Sequence, residues 1–244
     1  METIRNSGKV NIISKIGDGS GRRVAKEFLN KILVEFVKQS TKYINATGES
    51  PFSFRERQLH SVFAPAISKI TDAFLMESPI ERQWTKRSKQ NFDDYSGWLD
   101  YWCRYRNVDF FIELKHSFDS FKTMNIRNDT MEKWNYMNNF QINAIKSEAK
   151  RYSEFCKGVL LVSLHVVTVY DYLKIQKESY DLNDHDKLIE IQSNYYNSLK
   201  PSPNWSGLWI LNNELIGQSV DEFENNYQLY PGVILIAKVF EIIN

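Results

Sequence analysis

The chain has 244 residues, enough for one large domain or a core domain with an appendage. Charged residues make up 25% and hydrophobic ones 42%, which is the globular range and excludes a disordered or low-complexity chain. A formal net charge of +1 excludes polyanion binding by bulk charge, so any nucleic-acid surface must be a local patch. The two cysteines, Cys103 and Cys156, show neither metal-ligand spacing nor a disulfide framework, which fits a reducing cytoplasm. No apolar run is long enough to cross a membrane, and the first residues lack a signal-peptide pattern. Aromatics reach 14%; filling a core is their commoner use, and stacking on bases or sugars the other.

Residues 9–16 predict a short strand. The run Gly17-Asp18-Gly19-Ser20-Gly21 is not followed by the Gly-Lys-Ser/Thr of a phosphate loop, and reads as a turn in which Ser20 caps the next helix. That helix is predicted over 22–43. Val24, Phe28, Leu29, Ile32, Leu33 and Phe36 form its buried stripe, and Arg22, Arg23, Lys26, Lys31 and Lys38 its solvated face. After a turn-rich break at 45–51 a second helix is predicted over 53–76. Its stripe is Leu59, Val62, Phe63, Ala66, Ile67, Ile70 and Phe74, with Pro65 as a kink point. Glu56 has capping-box spacing from Ser53 and also lies on the stripe that faces the sheet, so both roles stay open. Residues 80–87 predict the first core strand, and Lys86, Arg87 and Lys89 form a short basic run.

The stretch 97–118, GWLDYWCRYRNVDFFIELKHSF, predicts two strands with a turn near Arg106-Asn107. In the second strand Phe110, Ile112, Leu114 and Phe118 alternate onto one face, and Asp109, Phe111, Glu113 and Lys115 onto the other. In the first, Trp98, Asp100 and Trp102 share one face, and Leu99, Tyr101 and Cys103 the other. Paired as a hairpin, the strands set Asp100 beside Glu113 and Lys115. Charges inside such apolar strands need a reason, because a buried unpaired charge costs several kcal/mol. Mg²⁺ is a hard ion that prefers carboxylate oxygens and keeps several waters, and it polarises a bound phosphate. Lys115 would orient or deprotonate a water, or meet the charge building on the phosphorus centre. Asp93 and Asp94, just upstream, are rival ligands. A solvent-facing strand with an ordinary Asp–Lys salt bridge is the plain alternative.

His116 alternates to the apolar face and reads as structural. A long helix is predicted over 130–156, with Trp134, Phe140, Ile145, Tyr152 and Phe155 on its packed side and Gln141 facing the same way. Lys146, Lys150 and Arg151 are candidate phosphate contacts. Glu148-Ala149-Lys150 repeats the Glu-x-Lys spacing, but inside a helix. Residues 158–169 predict a buried central strand in which His165 is structural. A polar helix over 183–197, a loop over 199–206 and strands over 205–211 and 231–242 would extend the sheet or cover its edge. Tyr195 and Tyr196 are candidate nucleic-acid contacts on composition alone.

Asp100, twelve intervening residues and then Glu113-Leu114-Lys115, with Gly-Trp-Leu-Asp-Tyr-Trp ahead of an apolar strand, resembles the PD-(D/E)xK nuclease superfamily. The resemblance covers roughly residues 53–168, and Leu99 stands where the family motif has Pro. It implies an α/β fold: a mixed central sheet flanked by helices, with a restriction-endonuclease-like core in the order helix, three strands, helix, strand. The N-terminal helix and a C-terminal extension over 170–244 would pack on that core in a single domain. The implied catalytic residues are Asp100, Glu113 and Lys115, with Mg²⁺ or Mn²⁺ on Asp100 and Glu113. The family also implies a further metal carboxylate from Glu56 and a polar contribution from Gln141. The implied activity is metal-dependent hydrolysis of DNA phosphodiesters, in restriction, phage defence or repair, with a homodimer as an assembly such nucleases use. The alternative is a catalytically inactive member that binds nucleic acid or a protein.

Overall fold

A computed structural model of the chain describes residues 1–82, 96–152, 156–173, 185–223 and 226–241. An N-terminal hairpin, β1 (Glu2–Ile4) and β2 (Gly8–Ser14), leads into α1 (Ser20–Thr47). Gly19 takes the N-cap position, so Ser20 opens the helix instead of capping it. The helix outruns its predicted end at 43 and stops where Gly48 adopts the left-handed conformation, φ 73°. Phe28, Leu29, Ile32, Leu33 and Phe36 are buried as the periodicity required. On the outer face Lys31 pairs with Glu27, Lys38 with Glu35 and Arg22 with Glu241.

The next helix, α2 (Glu56–Ile70), is shorter at both ends than 53–76. Ser53 Oγ donates to Ser50 O at 2.9 Å, so the capping box does not form and Glu56 begins the helix. At the other end Thr71 turns extended while its hydroxyl returns to Ile67 O at 2.9 Å. Phe74, Leu75 and Met76, which prolong the apolar stripe in sequence, therefore enter β3 (Ala73–Glu81). The first core strand thus lies upstream of 80–87. Lys86, Arg87, Lys89, Asp93 and Asp94 lie outside the described residues.

The predicted hairpin is β4 (Ser96–Tyr105) and β5 (Val108–Ser120), antiparallel, turning on Arg106 (φ 51°) and Asn107 (φ 61°). Two successive left-handed residues match the twist of the paired strands. Tyr101 and Cys103 share a face as predicted, but Leu99 joins the opposite one, against Ile80 and Phe111. The alternation breaks where β3–β4 pairing passes from Met76↔Tyr101 to Ser78↔Leu99, with the intervening Glu77 at φ 49°.

The single helix expected over 130–156 is α3 (Asn128–Tyr136), a π-helical turn (Met137–Gln141) and α4 (Ile142–Tyr152). Trp134 and Ile145 are buried; Phe140 and Tyr152 are exposed, a correction to the predicted packed side, because the wider turn rotates the face between them. Phe155 lies outside the described residues. The chain continues through β6 (Gly158–Leu173), α5 (His185–Ser198), β7 (Trp205–Leu211), α6 (Asn213–Gln218), β8 (Asp221–Phe223) and β9 (Asn226–Glu241).

These strands build one mixed nine-stranded sheet in the order β1-β2-β7-β9-β6-β5-β4-β3, with β8 beside β9. β5 and β6 pair in parallel, while β9 runs antiparallel to β6 and to β7. The C-terminal strands are thus interior, and β2 closes the N-terminus onto β7. One face, with Tyr101, Phe110 and Leu114, packs under Phe28, Phe36 and Phe63 of α1 and α2. The other carries α3 and α5 on Val167 and Ile234, and α4 on Phe111 and Leu161. No helix among the described residues is long and apolar enough to cross a membrane.

Candidate active site

The site lies where β4 leaves β5. The last pair between them is Tyr101↔Ile112, and the same register carried on would set Asp100 opposite Glu113. Beyond that pair the backbone of β5 loses its β4 partner, and buried peptide groups must be satisfied by something else. Side chains take over. Asp100 Oδ2 accepts from Leu114 N at 2.6 Å, and Glu56 Oε2 accepts from His116 N at 3.1 Å. Leu114 O accepts from Lys115 Nζ at 2.8 Å, and His116 O from Lys133 Nζ at 3.0 Å. The freed edge of β5 therefore organises two carboxylates and two ammonium groups.

Glu113 is the most enclosed member, only 1% exposed. Arg82 Nη2 donates to Glu113 Oε1 at 2.7 Å, and Gln141 Nε2 donates to Oε2 at 2.9 Å. Arg82 also donates to Trp98 O at 2.6 Å. Gly97 makes room for this side chain, since a Cβ there would fall on Arg82 Nε and Cδ. Burial, and then the charge of Asp100, push the Glu113 carboxyl up to about 7 against the pull of Arg82 and Lys115. Burial also raises Asp100, opposed by the Leu114 amide and Lys115 and assisted by Glu56. Lys115 Nζ reaches Glu56 Oε1 at 3.2 Å. His60 Nδ1 and the Tyr101 hydroxyl are hydrogen-bonded beside this group, and His60 pulls Asp100 downward.

The five residues singled out in sequence are thereby brought into one connected constellation: Asp100, Glu113, Lys115, Glu56 and Gln141. Glu56, at the start of α2, serves β5 and Lys115 rather than a capping box. Sequence periodicity does not reach Arg82, because a strand over 80–87 gives it no cross-strand neighbour. A glycine followed by a tryptophan at the opposing strand start was the available signal.

Other sequence candidates go elsewhere. His116 is buried, with Nε2 2.9 Å from Thr168 Oγ1; burial and Lys133 push its pKa down to about 3, so it is neutral. His165 is fully buried and bonds Ser117 Oγ through Nε2 at 2.8 Å. Tyr195 is buried with its hydroxyl on Asp119, and Tyr196 is also buried, so neither ring is offered to nucleic acid. Lys146 lies over the Phe240 ring, and Arg151 pairs with Glu81 and with Glu148, the acid of the second Glu-x-Lys.

Among the described residues no three His, Cys, Asp or Glu side chains gather as a metal cluster. The donors present still fit Mg²⁺, which takes one or two carboxylates and otherwise keeps water. Asp100, partly buried, and Glu113, buried, are two acids whose mutual repulsion a cation would relieve. Gln141 Oε1, on the side chain that holds Glu113, is buried with no hydrogen-bond partner. No protein-family model, curated protein or solved structure matches this chain.

Proposed function

We propose that the chain is a metal-dependent nuclease that hydrolyses phosphodiester bonds of DNA, built on a restriction-endonuclease-like core. The run α2, β3, β4, β5, α3–α4, β6 supports the core reading: helix, three antiparallel strands, helix, then a strand parallel to the third. The observation that carries the functional reading is the opening of the β4–β5 ladder, which sets Asp100 beside Glu113 and Lys115. In this reading Asp100 and Glu113 hold Mg²⁺ or Mn²⁺. When bound, the ion polarises the phosphate and lowers the pKa of a water. Arg82 and Gln141 fix the Glu113 carboxylate from two sides. The Leu114 amide fixes Asp100. Lys115 stands as an ammonium between Glu56 and Leu114 O, placed to meet charge building on the phosphate and to orient the attacking water.

One observation favours the inactive, binding reading. Glu113 is already paired with Arg82 and Lys115 with Glu56, so both groups have ionic partners within the protein without metal or substrate. Incubation with plasmid and with linear single-stranded DNA in Mg²⁺, Mn²⁺ or EDTA separates the two. Metal-dependent cleavage of either that is lost in Asp100→Ala supports the nuclease. No cleavage of either in any metal, with Asp100→Ala indistinguishable, selects the binding role.

A further inference from the structure

Three of the segments that deliver site residues carry an exposed aromatic ring close by in sequence. Phe54, 38% exposed, stands two residues before Glu56. Trp98, 66% exposed, stands two residues before Asp100, and its carbonyl anchors Arg82. Phe140, 52% exposed, directly precedes Gln141, and stacks on Tyr136, 47% exposed, with ring centroids 5.6 Å apart and planes at 26°. The described residues hold two other exposed aromatics, Tyr152 and Tyr172. Scattered exposed apolar side chains need no explanation, but rings that neighbour site residues in sequence on three separate segments call for one.

Charge inside the site points the same way. Duplex binding draws most of its strength from unengaged Lys and Arg that displace counterions from phosphates. Here the two cations that touch the site carboxylates, Lys115 and Arg82, are ion-paired, the exposed Arg55 and Arg57 flank Glu56, and the chain carries a net charge of only +1. Unpaired bases offer a different source of affinity, since every base has a face that stacks on an aromatic ring. In a duplex those faces are occupied by neighbouring bases.

We infer that the substrate is a nucleic acid with unpaired bases, a single strand or a frayed end, whose bases stack on Trp98, Phe140 and Tyr136 while its phosphate meets Asp100, Glu113 and Lys115. This deepens the nuclease reading and rests on it for the role of the phosphate. Stacking holds the strand; the site's own charges are kept for the reacting phosphate.

The test is fluorescence anisotropy in EDTA with three labelled probes: a thymidine single strand, a duplex of equal length, and an abasic single strand with the same phosphates and no bases. The wild type binds the thymidine strand about tenfold or more tighter than the abasic strand, and tighter than the duplex. The Trp98→Ala/Phe140→Ala double variant loses that preference and binds the thymidine strand as weakly as the abasic one. Trp98→Phe retains it, which separates loss of stacking from loss of fold. Equal affinity for thymidine and abasic strands, tighter binding to the duplex, or an unaltered double variant overturns the inference. A parallel cleavage assay keeps the two readings apart. Base-dependent binding with no cleavage in any metal sinks the nuclease and leaves the stacking surface, whereas duplex cleavage undisturbed in the double variant does the reverse.

Discussion

Glu113 works against the stability of the fold that holds it. Its carboxyl rises from 4.5 to about 7 because burial and the Asp100 charge outweigh Arg82 and Lys115. A raised folded-state pKa means that the stability tied to this group is complete below pH 4.5 and is lost as pH climbs through about 7. At 1.36 kcal/mol per unit, the ionised carboxylate costs roughly 3 kcal/mol at alkaline pH, and the Arg82 pair is already included in that net figure. Glu113→Gln keeps the shape and carries no charge; its amide oxygen accepts from Arg82, and its Nε2 donates to Gln141 Oε1 once the Gln141 amide turns over. It should therefore stabilise the metal-free protein by up to about 3 kcal/mol near pH 8, a Tm rise of roughly 6–12 °C for a chain of this size. The gain should shrink to nothing as pH falls below 4.5, where Glu113 becomes protonated in both states. Thermal unfolding by circular dichroism in EDTA, across that pH range, measures it. A variant less stable than wild type at about pH 8, or a difference that does not change with pH, would refute the reasoning.

Arg82→Ala does the opposite: it strands a carboxylate that is 1% exposed, and near pH 8 it should cost about 3–5 kcal/mol in denaturant unfolding. Gly97→Ala should destabilise by about 1–3 kcal/mol through the same side chain, because Arg82 must leave its path; combined with Arg82→Ala the added cost should disappear, which a double-mutant cycle reads out. Tyr195→Phe removes the hydroxyl that donates to buried Asp119, which also takes Thr130 Oγ1 at 2.8 Å and Arg127 N at 3.0 Å; a loss of about 1–3 kcal/mol in urea unfolding is expected.

What could be read from sequence followed the range of the interaction. The β4–β5 hairpin was legible because alternation and the Arg106-Asn107 turn are local signals, and they carry Asp100, Glu113 and Lys115 with them. Gln141 was legible because it lies seven residues after Trp134 and four before Ile145. The π-helical turn has no such signal, so periodicity puts Phe140 on the packed side although it faces solvent. Phe74 to Met76 continued a helical stripe in sequence, and only the Thr71 backbone and hydroxyl show why the helix had already ended. Arg82 depends on the register that sets Ile80 opposite Gly97, a long-range fact absent from periodicity. The insertion of β9 between β6 and β7, and the closure of β2 onto β7, are likewise choices among strands that each look alike in isolation.

In the proposed reaction Lys115 acts on a phosphate beside a metal held by Asp100 and Glu113. The most direct measurement is single-turnover cleavage of an end-labelled single-stranded oligonucleotide in saturating Mn²⁺ by wild type and Lys115→Ala, with Mn²⁺ binding measured on both proteins. One bound ion is expected in each, with cleavage by the wild type that EDTA abolishes and a rate on the order of 100-fold or more lower in the variant. Cleavage by Lys115→Ala at the wild-type rate, or no cleavage by either protein with Mn²⁺ bound, would contradict it.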